Sequence, residues 1–139
     1  MHRVSQRLGP EAPARETERK TFVVLCASGF ESVDRVRSAL MFAALAASAD
    51  FSVILYCIQG CVDVMVRGAV EKYERPIPGV PTIAQRLAEA MQSGVRIQCC
   101  SQSLANRGLG PADLVEGVQI AGAMTLIDIA DGAAGTLSF

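Results

Sequence analysis

Two adjacent cysteines, Cys99 and Cys100, stand where an apolar strand gives way to a polar turn. The stretch Val95-Arg96-Ile97-Gln98-Cys99-Cys100 follows Gly94, which stops the preceding helix, and Val95 and Ile97 are β-formers on one face. Beyond it, Ser101 or Ser103 caps a helix that Leu104 packs and Gly108 ends. A thiol at that junction meets the free backbone N–H groups and the positive dipole end of a helix start. Both lower a cysteine's pKa, and the thiolate is the nucleophilic form. Cys100 is therefore the candidate nucleophile. Successive strand residues point to opposite faces, so at most one of the pair faces the site while the strand lasts. If the turn begins at Cys99, both are reachable and Cys99 can resolve a group carried on Cys100.

The other candidates carry plainer readings. Cys61 follows Gly60 at a helix start, a place that also lowers a thiol's pKa, against packing or a subunit contact. Cys26 and Cys57 fall inside apolar strands and read as core. A zinc site from Cys57, Cys61, Cys99 and Cys100 has the wrong spacing. The only histidine, His2, sits in a polar N-terminal tail, away from the cysteines as a base. Arg107 either bonds the last carbonyls of its helix or steers an anionic donor. Glu31, Asp34 and Asp63 read as solvated residues of helix starts. Asp128 lies in an apolar helix, where it can pair across a subunit contact. Gly108-x-Gly110 follows a helix and lacks the third glycine of a dinucleotide fingerprint.

Five strands are predicted to position these residues. Thr21–Ala27 is a continuous apolar β-rich run, as in a parallel strand buried on both faces. A helix follows to Ser48, with Val33, Val36, Leu40, Ala43, Ala44 and Ala47 inward and Arg35 and Arg37 outward. Ser52–Ile58 is the second strand, Cys61–Ala69 one helix, and Lys72–Val80 a Pro- and Gly-containing loop. A third helix runs from Pro81 or Thr82 to Ser93. The cysteine strand and its short helix come next, then a helical turn at Pro111–Leu114 and a fourth strand at Val118–Ala121. Ala123–Asp131 is a last helix and Ala134–Phe139 a closing edge strand. Strands alternating with helices give an α/β domain: a mainly parallel sheet between two helical layers, α/β/α. Ligands in such sheets sit beyond the carboxyl ends of the strands. The Ser28–Glu31 loop, the Gln59–Cys61 loop and Cys99–Cys100 all fall there.

The 139 residues fit one domain, 20–139, preceded by a flexible tail over 1–19. A net charge of −1 disfavours a general nucleic-acid binder. No apolar run reaches membrane-spanning length and no secretory signal opens the chain. An odd count of five cysteines without C-x-x-C reads as free thiols in a reduced, cytoplasmic protein.

These pieces, in order, resemble the DsrE/DsrF-like family of sulfur-trafficking proteins over about Thr21–Phe139. The resemblance rests on FVVLCASGFESVDRVRSALMFAALAA, VILYCIQG, CSQSLANRGL and DLVEGVQIAGAMTLIDIA. It implies a five-stranded doubly wound domain that assembles as a homotrimer or homohexamer. It also implies a cysteine-dependent sulfur carrier, or sulfurtransferase, that exchanges sulfane sulfur, as persulfide or thiosulfonate, with a TusA-like protein or another persulfide partner in sulfur oxidation. The family's Cys-x-x-Ser pattern falls on Cys100 and Ser103, with Cys99 an extra neighbour. Such exchange requires no metal or organic cofactor. Two other classes stand beside it: a non-catalytic assembly subunit and a thiol redox sensor.

Overall fold

The computed structural model describes residues 18–139, so His2 and most of the 1–19 tail lie outside the described residues. Five strands form: β1 Thr21–Cys26, β2 Ser52–Cys57, β3 Arg96–Cys100, β4 Gln119–Ala121 and β5 Gly135–Ser138. They pair in the order β4-β3-β2-β1-β5, and every pairing is parallel. The apolar runs of β1 and β2 explain their central places, because a parallel strand flanked by helices is covered on both faces. Short β4 and β5 take the edges.

The helices are α1 Val33–Ser48, α2 Gly60–Val64, α3 Ala69–Tyr73, α4 Ile83–Gln92, α5 Ser101–Asn106 and α6 Ala123–Asp131. The first five cover one face. There Val24, Val53, Leu55 and Ile97 meet Val36, Leu40, Ala43, Val62, Leu87 and Leu104 in the main core. Only α6 covers the other face, where Leu126 and Ile129 pack against Ile54, Tyr56 and Cys100. That layer is thin. Met124 and Ile127, one turn apart on α6, remain 66% and 56% exposed.

Three local expectations are revised. The helix predicted over Cys61–Ala69 is two short helices, because Gly68 at φ +81 starts a second one that runs on into the predicted loop. Arg37 is not outward. It pairs with Asp34 and with Glu74, and the Arg37 and Glu74 side chains are 11% and 4% exposed. Glu74 also accepts the Ile83 N–H at 2.8 and 3.0 Å, so one carboxylate holds α1 to the start of α4. Thr82 closes that start with a capping box to Gln85. Neither Ser101 nor Ser103 caps α5, because Cys100 itself is the N-cap residue.

Candidate thiol site

Strand alternation separates the two adjacent cysteines. Cys57, Cys99 and Ile120 share one register row, and Cys100 pairs with Ala121 in the next. Cys99 therefore enters the main core, fully buried, while Cys100 belongs to the α6 face and is 7% exposed. The sulfurs of Cys99 and Cys100 lie on opposite sides of the sheet.

Cys100 ends β3 with extended backbone (φ −62°, ψ 123°), and α5 begins at the next residue. Burial pushes its thiol up. The Ser103 N–H, the Ser103 hydroxyl, the Tyr56 hydroxyl and the Gln102 N–H outweigh that and hold it below the ordinary thiol value. These groups are donors aimed at one sulfur, which is what a thiolate needs once water is removed. Tyr56 shifts the opposite way, raised by burial and by Cys100. Its one hydroxyl hydrogen serves either the Cys100 thiolate or the Ala121 carbonyl at 2.8 Å, the second contact tying β2 to the end of β4 beside the thiol.

Ser103 has a second duty. Its hydroxyl oxygen accepts the Gln59 N–H at 2.9 Å, joining α5 to the loop after β2. Gln59 sits at φ +50, a conformation side-chain-bearing residues seldom adopt. The serine thus anchors a strained loop as well as the thiol. In the same loop cluster, the Gly29 N–H donates to Glu31 at 2.8 Å. A Cβ on Gly29 would lie 2.3 Å from the Gly60 carbonyl oxygen, so only glycine lets the loops after β1 and β2 touch.

Arg107 stands at the far end of α5 from Cys100. Its Nε donates to Asp63 at 2.7 Å and its Nη1 to the Ser103 carbonyl at 3.3 Å. Of its two predicted roles, the carbonyl bond is present, and its charge answers Asp63 rather than facing Cys100. Arg107 also borders an open cleft of about 460 Å³ with Phe30, Tyr73 and Leu109. Glu31 and Asp34 are exposed and Asp63 half-buried, and Asp128 on α6 is exposed.

The remaining thiols gather on the opposite face. Cys26, Cys57 and Cys99 form one register row across β1, β2 and β3, and Cys61 of α2 bonds to both Cys26 and Cys57. Accepting from those two thiols draws Cys61 down. Cys26 is pushed up first by its contact with Cys61 and then by burial, and Cys57 first by its contacts with Cys61 and Cys99 and then by burial. All four are at most 1% exposed, so Cys26 and Cys57 are core as predicted and Cys61 packs with them. Among the described residues, no group of His, Cys, Asp or Glu is arranged to hold a metal ion. The four-cysteine zinc alternative fails because Cys100 faces away from Cys57, Cys61 and Cys99.

Sequence reasoning overlooked Tyr56 and Gln98. The signal for Gln98 was present, since it shares the strand parity of Cys100. Tyr56 sits within an apolar run and had no local mark.

The model of the DsrE/DsrF-like family matches residues 20–139. No curated protein matches the chain. The fold is similar to that of the ychN protein from E. coli, at 21% identity and a TM-score of 0.70, covering 87% of this chain and 99% of that one. It is similar to MTH1491 from Methanobacterium thermoautotrophicum, a protein of unknown function, at 18% identity and a TM-score of 0.61 (88% and 100% covered). It is also similar to BT1422 from Bacteroides thetaiotaomicron, of unknown function, at 14% and 0.61 (91% and 99% covered).

Proposed function

Because the chain belongs to the DsrE/DsrF-like family, whose membership points to sulfur relay, we propose that it is a sulfur carrier working through Cys100. The observation that carries this reading is the set of donors around the Cys100 sulfur at the end of β3. The Cys100 thiolate attacks the outer sulfur of a donor persulfide, R–S–SH. The donor S–S bond breaks, its electron pair leaves on R–S⁻, and Cys100–S–SH remains. An acceptor thiolate then attacks that outer sulfur and releases the Cys100 thiolate. Electrons and protons balance within the two exchanges, and thiols alone perform them.

On this reading Cys100 acts without Cys99, which packs against Cys57 behind the sheet. The donor or acceptor is a TusA-like carrier or another protein thiol. The half-covered α6 face, with Met124 and Ile127 turned outward, supports assembly as a homotrimer or homohexamer. Free thiols throughout support a reduced, cytoplasmic setting. No helix among the described residues is long and apolar enough to cross a membrane.

The test is transfer. Protein loaded with inorganic polysulfide and desalted is mixed with glutathione, and the glutathione persulfide formed is trapped and counted. Wild type and Cys99→Ser deliver, and Cys100→Ser does not. Equal delivery by Cys100→Ser overturns the reading.

A further inference from the structure

Gln98 is the one described residue with a buried side-chain oxygen or nitrogen that has no hydrogen-bond partner, its Oε1. It lies two residues before Cys100, so both side chains leave β3 on the α6 face. Its register partners are Tyr56 on β2 and Gln119 on β4. These three make a polar row on a face otherwise built of Ile54, Leu25, Ile58, Ala121, Leu126 and Ile129. An acceptor shut away from water and left unpaired is a cost that an apolar residue of the same shape would avoid. Gln98 stands two residues before the nucleophile, on the same face of the sheet.

We propose that Gln98 is a positioning residue of the thiol site, its side-chain oxygen accepting the S–H of the Cys100 persulfide and keeping the carried sulfur protonated for delivery. This rests on the sulfur-carrier reading above. Loading extends Cys100 by one S–S bond, about 2.05 Å, and places an S–H donor on that face. A persulfide is more acidic than its parent thiol, and free in water it ionises to a nucleophile. The protonated form is the better electrophile, because the acceptor thiolate then attacks a neutral sulfur. In the delivery step the acceptor sulfur bonds to the outer sulfur and the Cys100 S–S bond breaks. The electron pair stays on the Cys100 sulfur, against the Ser103 and Gln102 N–H groups, and the proton leaves with the new acceptor persulfide.

The surroundings favour the neutral form. Tyr56 is the titratable side chain that β2 contributes to this face, and its hydroxyl is held protonated. From β4 come Ala121 and the amide of Gln119, and from α6 the apolar Leu126 and Ile129, while Asp128 and Asp131 of α6 are exposed.

Wild type, Gln98→Met, Gln98→Glu and Cys100→Ser are loaded with inorganic polysulfide and weighed intact. The near-ultraviolet absorbance of the persulfide anion is read at neutral pH, and delivery to glutathione is timed. Gln98→Met is expected to load like wild type, melt no lower, absorb more strongly and deliver about tenfold more slowly, roughly the worth of one hydrogen bond. Gln98→Glu, which keeps an acceptor oxygen in place, is expected to absorb no more than wild type. Unchanged absorbance and delivery in Gln98→Met overturn the proposal. So does a melting temperature lowered in Gln98→Met and restored in Gln98→Glu, since the oxygen then has a partner in the fold. Cys100→Ser loading like wild type would instead sink the carrier reading itself.

Discussion

Replacing Ser103 with alanine removes a hydroxyl that serves two neighbours at once. Toward Cys100 it supplies one of the donors that hold the thiol below its ordinary value, the backbone N–H groups of Ser103 and Gln102 remaining. A hydrogen bond to a charged group contributes about 1.5–3 kcal/mol, and each 1.4 kcal/mol is tenfold in population. Below the titration midpoint, the thiolate fraction of Cys100 should therefore fall roughly ten- to a hundredfold, with the lower figure favoured where the helix N–H groups take up part of the charge. Toward the loop after β2, the Gln59 N–H loses its 2.9 Å acceptor. Gln59 is exposed, so water replaces most of that bond, and the stability cost should be about 1 kcal/mol. The assay is the pH dependence of iodoacetamide alkylation of native protein, followed by intact mass, beside urea unfolding. Ser103→Ala should carry its alkylation midpoint to higher pH while remaining folded. A midpoint that stays in place would show that the serine hydroxyl does not support the thiolate and that the site has been misread.

Three further outcomes follow. Gly29→Ala drives a methyl to 2.3 Å from the Gly60 carbonyl, so the loops after β1 and β2 must part. A loss of about 2 kcal/mol or more in urea unfolding is expected, and a wild-type midpoint would refute the close approach. Glu74→Gln leaves the buried Arg37 with only exposed Asp34 and weakens the cap on α4, costing about 3 kcal/mol in the same assay. Because the folded Cys100 thiol is held low, the unfolded chain binds the extra proton, and this thiol's contribution to stability is complete above the unfolded thiol value and lost as pH falls through the folded one. Across neutral to mildly alkaline pH, the stability of wild type relative to Cys100→Ser should rise with pH, and parallel curves would contradict it.

The strands were legible because a parallel sheet between helical layers needs uninterrupted apolar runs, and TFVVLC and SVILYC supply them. Alternation along β3 allowed either a parting of Cys99 and Cys100 or, with a turn at Cys99, a shared site, and the strand's continuation to Cys100 parts them. Long-range partnerships were not legible. Arg37 reads as solvated on α1 until Glu74 arrives from beyond α3, 37 residues along the chain. Ser103 reads as a helix cap until the loop carrying Gln59, 44 residues earlier, takes its hydroxyl. Tyr56 looked like one more apolar strand residue, because periodicity reports burial and not the hydroxyl's destination at Ala121. The break between α2 and α3 was hidden because the apolar pattern runs through Gly68, and only that glycine's left-handed backbone reveals it.

The central claim, that sulfur rides on Cys100, is tested most directly by native intact-mass analysis after brief exposure to inorganic polysulfide, with wild type beside Cys99→Ser and Cys100→Ser. Wild type and Cys99→Ser should each gain sulfur that fragmentation places on residue 100, and Cys100→Ser should gain none. Equal gain in Cys100→Ser, or sulfur located on any of the four thiols behind the sheet, would contradict the account.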